Sequence, residues 1–135
     1  MTVFVDTSAL FALLDADDAG HDLAFPAWSG GIDECARFVT TNYVIVETIA
    51  LAQRRLDIHA VRALIDEILP MIDTIWVTDA DHSTGLSLLL MAARRHLGLV
   101  DCVSYAIMRR MGIREYLGLD PHFEEQGLTR YAPAG

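Results

Sequence analysis

Four acidic residues stand where a carboxylate has chemical consequences: Asp6, Glu47, Asp101 and Asp120. Asp6 and Asp120 each close an apolar run, Asp101 opens a helical pattern, and Glu47 lies in the middle of another. Singly, each would read as a cap or turn residue. Gathered at one edge of a sheet they are different, because like charges at close range cannot all stay ionised unless a cation compensates them. Oxygen-only donors, without histidine or cysteine spacing, point to magnesium or manganese and away from zinc. One such ion, or two about 3.5–4 Å apart, can activate water and steady the leaving oxygen of a phosphodiester. The reaction class this favours is metal-dependent hydrolysis of a nucleic-acid backbone.

The elements around the acids follow from local pattern. Val3-Phe4-Val5 lacks polar alternation, as a strand buried on both faces does, and Asp6-Thr7-Ser8 then supplies N-cap chemistry for the apolar stretch Ala9 to Leu14. Strand, acidic turn and helix open an α/β sheet, whose ligands gather outside the carboxyl ends of the strands. Asp15 to Gly20 partly matches a calcium loop, but Pro26 occupies the place of the bidentate glutamate. It reads as a solvated connection, with Asp17 or Asp18 capping a helix that carries Leu23, Phe25 and Trp28 and ends near Gly30-Gly31. Arg37 to Thr40 is a second strand. Thr40, Thr41 and Asn42 can cap a helix from Tyr43 to Arg55 that is apolar almost all round, so Glu47 is expected to be buried. A buried glutamate needs a proton, an arginine such as Arg54, or a cation.

Asp57 caps an amphipathic helix terminated by Pro70, and Thr74 to Thr78 is a third strand. Asp79-Ala80-Asp81 then resembles the Asp-x-Asp turn of haloacid-dehalogenase-like phosphatases, a distant alternative. Capping of a helix running through Arg95 is the plainer account. Leu86 to Ala93 reads as a buried helix face. Gly98 punctuates, Asp101 to Met111 is helical, Glu115 to Leu119 is a short strand and Leu128 to Tyr131 an edge strand.

The 135 residues suit one domain, spanning 1–135, and a hydrophobic content of 53% excludes disorder. No apolar run reaches the roughly 20 residues of a membrane helix. The first basic residue is Arg37, so no charged segment leads an apolar one as in a secretory leader. Cys35 and Cys102 have no metal or redox spacing and read as reduced core residues, and the expected compartment is cytoplasmic. A net charge of −9 argues against a protein that coats nucleic acid. All ten basic residues are arginine, which excludes schemes needing a catalytic lysine. Three adjacent pairs, Arg54-Arg55, Arg94-Arg95 and Arg109-Arg110, suit phosphate contacts or equally the closing of helices.

In order and spacing the segments Val5 to Leu10, Thr40 to Thr48, Leu99 to Tyr105 and Leu119 to Phe123 resemble the PIN-domain ribonucleases, especially VapC toxins of toxin–antitoxin modules. The resemblance implies a three-layer α/β fold with a central, mainly parallel sheet of four or five strands flanked by helices. It implies Mg²⁺ or Mn²⁺ held by Asp6, Glu47, Asp101 and Asp120, with Thr7 and Ser104 supporting the metal shell. It further implies RNA as substrate, a homodimer, and a small cognate antitoxin that blocks the site. Many relatives carry a hydroxyl residue just before the third acid and another two before the fourth, where this chain has Val100 and Gly118. That departure motivates the alternative of a PIN-fold RNA-binding or regulatory module with weak catalysis.

Overall fold

Val3, Phe4 and Val5 are fully buried at the centre of a five-stranded sheet in the order β3-β2-β1-β4-β5. The computed structural model describes residues 1–93 and 97–134. Its strands are β1 (Thr2–Val5), β2 (Arg37–Thr41), β3 (Ile72–Ile75), β4 (Glu115–Leu117) and β5 (Thr129–Arg130). Every pairing is parallel: Phe4 stands opposite Val39 on one side and Tyr116 on the other. Parallel strands need crossovers, and helices supply them: α1 (Thr7–Leu14), α2 (His21–Asp33), α3 (Asn42–Arg55), α4 (Ile58–Ala63), α5 (Asp79–Ala92), α6 (Leu99–Met111) and α7 (His122–Glu125). Helices cover both faces of β1, which explains its uninterrupted apolar run; burying Phe4 alone contributes about 1.5–3 kcal/mol.

Chain order reverses between β1 and β4, so the crevice outside their carboxyl ends is the switch point where ligands of open α/β sheets bind. Asp6 and Asp120 leave the sheet there.

Several boundaries differ from the sequence reading, each for a local reason. Gly20, not Asp17 or Asp18, is the N-cap of α2; Asp18 instead accepts from the Gly20 amide at 2.8 Å. Helix α2 continues through Gly30-Gly31 to Asp33, because Gly31 meets the Phe38 ring where a side chain would collide. The amphipathic segment after Asp57 keeps its cap, with the Ala60 amide 3.0 Å from Asp57 Oδ1, but α4 passes into a π turn, Leu64–Ile68, and a 3₁₀ turn, Leu69–Met71. Strand β3 begins two residues early and stops at Ile75, and Asn42 Oδ1 takes the Val77 amide at 2.8 Å. Strand β4 ends at Leu117, not Leu119. Cys102 is a core residue, whereas Cys35 is exposed at the end of α2.

Two helix faces expected to be buried are not. Only the stripe Val44, Thr48 and Ala52 of α3, three residues spaced four apart, is buried. On α5, Leu88 and Leu89 pack against the core while Leu90 and Met91 are 79% and 81% exposed. The cap of α5 is Thr78, which forms a capping box with Asp81. Asp81 also receives Arg110 Nε and Nη2 at 2.8 and 2.9 Å, clamping the start of α5 to the end of α6. The two helices close at Gly85, where a Cβ would lie 3.2 Å from the Val103 backbone. The pairs Arg54-Arg55 and Arg109-Arg110 do close α3 and α6; Arg94-Arg95 and the helix end expected at Arg95 lie outside the described residues. Among the described residues no helix is long and apolar enough to cross a membrane.

Candidate active site

Asp6 is the first residue beyond β1. Its amide donates to Leu117 O at 2.9 Å, extending the β1–β4 ladder and laying Asp6 beside Gly118. It occupies the N-cap position of α1, yet its carboxylate makes no cap hydrogen bond, and the one helix amide that steadies its charge is that of Thr7. Oδ2 accepts from Ser8 Oγ at 3.0 Å, while Oδ1 is buried without a hydrogen-bond partner. The residue is only 3% exposed. Burial above all, then the charge of Asp101, raises its carboxyl from 3.8 to about 7; the Ser8 hydrogen bond opposes this and Glu47 adds a smaller push.

Asp101 is the third residue of α6, where the helix dipole favours an anion. Its Oδ2 accepts from the Gly98 amide at 3.3 Å. Burial again leads in raising its carboxyl to about 6, with Asp120 and Glu47 adding to the rise and Gly98 and His122 opposing it. Asp120 Oδ1 accepts from the His122 amide at 2.9 Å. The ring Nδ1 of His122 lies 2.7 Å from the same oxygen, out of hydrogen-bonding alignment.

Glu47 corrects the sequence reading: it is exposed, because it falls beside the buried stripe of α3 and not on it. Burial therefore gives no ground for calling it anomalous, and among the described residues no arginine pairs with it. Its position still matters, since its charge acts on both Asp6 and Asp101. The four acids thus form a chain of mutually repelling charges around the end of β1.

Neighbouring hydroxyls divide. Thr7 Oγ1 is buried and unpartnered, whereas Ser104 Oγ donates to Val100 O at 2.8 Å within its own helix. The sequence reading took Ser8 only for N-cap chemistry and placed Tyr105 on the helix face of Asp101 without a role at the site. Tyr105 lies one turn beyond Asp101, and its buried hydroxyl has no partner; burial and the charges of Asp101, Asp120 and Asp6 push its ionisation far up. The spacing of Tyr105 from Asp101 was the available signal.

Among the described residues no three acidic, histidine or cysteine side chains already enclose an ion-sized point. Asp101 and Asp120 each accept from a nearby backbone amide, Gly98 and His122 respectively, as residues at a helix start and in a turn do. The donors nonetheless suit a hard divalent cation: all are oxygens, one is a buried orphan, and two carboxyls are held near neutrality. A cavity of about 570 Å³ between α2 and the C-terminal tail is lined by none of the four acids.

A PIN domain model matches residues 3–126, all but the ends of the chain. The chain belongs to the PIN domain family. It is a homologue of VapC-type endoribonuclease toxins: the 23S rRNA-specific endonuclease VapC20 of Mycobacterium tuberculosis is 30% identical over 132 residues, covering 97% of this chain and 98% of that one. The crystal structure of VapC20, a sarcin-ricin loop cleaving toxin, superposes with a TM-score of 0.86 over 97% of this PIN domain and 99% of that chain. FitAcB from Neisseria gonorrhoeae (TM-score 0.68, 14% identity, 98% of each chain) shares the fold. So does VapBC2 from Rickettsia felis bound to a DNA fragment from its promoter (TM-score 0.66, 10% identity, 96% of this chain and 97% of that one). The five-stranded parallel sheet is therefore the PIN arrangement, and Asp6 and Asp120 flank its switch point.

Proposed function

We propose that this PIN domain is an Mg²⁺- or Mn²⁺-dependent endoribonuclease and the toxin of a type II toxin–antitoxin pair. The observation that carries the metal is Asp6: a buried carboxylate with one orphan oxygen, raised to about 7 chiefly by burial and next by Asp101. Asp6, Glu47 and Asp101 are the principal ligands and Asp120 assists, with Thr7 and Ser104 in support. When bound, the cation supplies an activated water and neutralises charge at the scissile phosphate. The chain itself positions the donors: the β1–β4 ladder fixes Asp6, the first turn of α6 offers Asp101, and the exposed Glu47 brings its charge from α3.

RNA is the substrate class, supported by likeness to the 23S rRNA-specific VapC20; a ribosomal stem-loop is the first substrate to try. The same likeness to a toxin supports a cognate antitoxin as partner and the cytoplasm as the place of action. The apolar face of α5, with Leu86, Leu90 and Met91 open to solvent, supports a homodimer.

The test is cleavage of 23S rRNA fragments with Mg²⁺ or Mn²⁺ and with chelator. The parent cleaves only with the metal, and Asp6→Asn is inactive. Equal cleavage by Asp6→Asn would refute the assignment.

A further inference from the structure

Ser8 makes two hydrogen bonds that join separate parts of the fold. Its Oγ donates to Asp6 Oδ2 at 3.0 Å and accepts from the Leu119 amide at 2.9 Å. Asp6 directly follows β1, whereas Leu119 lies 111 residues beyond Ser8, in the turn that delivers Asp120. One hydroxyl therefore couples two of the four acids, using its proton on the first and a lone pair on the backbone leading to the second.

The turn comes this close because residue 118 is glycine. A Cβ there would stand 3.2 Å from Asp6 Cβ, tighter than ordinary contact, and 3.4 Å from Ser8 Oγ. The Tyr116 ring, 3.3 Å from the same point, closes the other side, so a side chain at 118 would push on Asp6 and Tyr116 together.

A carboxylate has two equivalent oxygens and a rotatable bond, so burial alone does not say which oxygen faces a ligand. Here Oδ2 is occupied by Ser8 and Oδ1 is left buried and unpartnered. We infer that Ser8 is the positioning residue of the acid centre: its hydroxyl fixes Asp6 Oδ2, presents Oδ1 to the cation, and holds the Gly118–Asp120 turn in register with it. The inference rests on the metal-dependent reading above and adds to it a residue that touches neither cation nor substrate. Orienting groups behind a metal ligand typically change metal affinity by about 10–100-fold.

The experiment compares the full-length parent with Ser8→Ala and Ser8→Thr. Mn²⁺ affinity is read by titration calorimetry, the Leu119 amide by hydrogen exchange in the metal-free state, and folding by thermal melting. Ser8→Ala is expected to weaken Mn²⁺ binding by about tenfold or more and to speed exchange at Leu119, while the protein remains folded. Ser8→Thr, which keeps a hydroxyl, restores both. Unchanged affinity in Ser8→Ala, or a loss that Ser8→Thr does not repair, overturns the inference while the metal reading stands. A parent that takes up no Mn²⁺ sinks the metal reading and this inference with it.

Discussion

Asp101 is the charged neighbour that acts most strongly on Asp6: after burial itself, its carboxylate contributes most to lifting the Asp6 carboxyl to about 7. The two residues are 95 positions apart in sequence, one directly following β1 and the other in the first turn of α6. Their proximity stores repulsion in the metal-free fold, and the first prediction follows from it.

A carboxyl whose folded pKa is raised makes the folded state bind the extra proton between the unfolded value and the folded one. For Asp6 this window runs from 3.8 to about 7, and across it stability falls as pH rises. Asp6→Asn removes the penalty. In chelator, the variant is expected to be more stable than the parent at neutral pH, by on the order of 2–3 kcal/mol, with the difference fading toward acid pH. Urea unfolding at the two pH values checks this. With Mn²⁺ added the order reverses, because only the parent gains binding energy.

Glu47 separates function from stability. Being exposed and unburdened by burial, Glu47→Gln should leave the melting temperature unchanged. Its charge faces Asp6 and Asp101, so Mn²⁺ affinity and RNA cleavage should both fall by about 10–100-fold. Calorimetry beside a cleavage time course decides it; a variant that melts early but cleaves normally contradicts the placement.

Asp81 gives the opposite pattern. Its carboxylate completes the Thr78 capping box of α5 and receives the half-exposed Arg110, so Asp81→Ala removes the acceptor for the Thr78 amide and an ion pair. A loss of about 1–3 kcal/mol in denaturant unfolding is expected, with RNA cleavage per folded molecule unchanged. Arg110 holds the Asp81 carboxyl below its ordinary 3.8, so this contribution is present at neutral pH and disappears as pH falls through the lowered value. Hydrolysis of small phosphate esters that depended on Asp79 or Asp81 would revive the phosphatase alternative.

The α5 face yields a prediction about assembly. Leu90→Glu with Met91→Glu places two charges on a surface 79% and 81% exposed in one chain. Sedimentation should show a dimer for the parent and a monomer for the variant, each melting as a folded protein.

The sheet was legible because β1 carries its own signature: an apolar run buried on both faces, ending on an acid. The mainly parallel sheet was implied by the family resemblance, whereas the strand order and its switch point depend on pairings between distant segments. Glu47 was misjudged because composition around a helix does not reveal which stripe meets the core; Val44, Thr48 and Ala52 did, and Val46 and Glu47 did not. The apolar half of α5 misled in the same way, since an interaction face and a core face share one pattern. Ser8 read as no more than N-cap chemistry because its second bond reaches across the fold. The Ser8–Leu119 bond spans 111 residues, beyond the reach of any local pattern.

The most direct test of the central claim is Mn²⁺ titration calorimetry on the chelator-treated parent beside Asp6→Asn and Asp101→Asn. The account predicts saturable binding to the parent, accompanied by proton release near neutral pH because Asp6 and Asp101 are lifted to about 7 and about 6. It predicts loss of that binding in both variants. Binding of equal strength in all three proteins would contradict it.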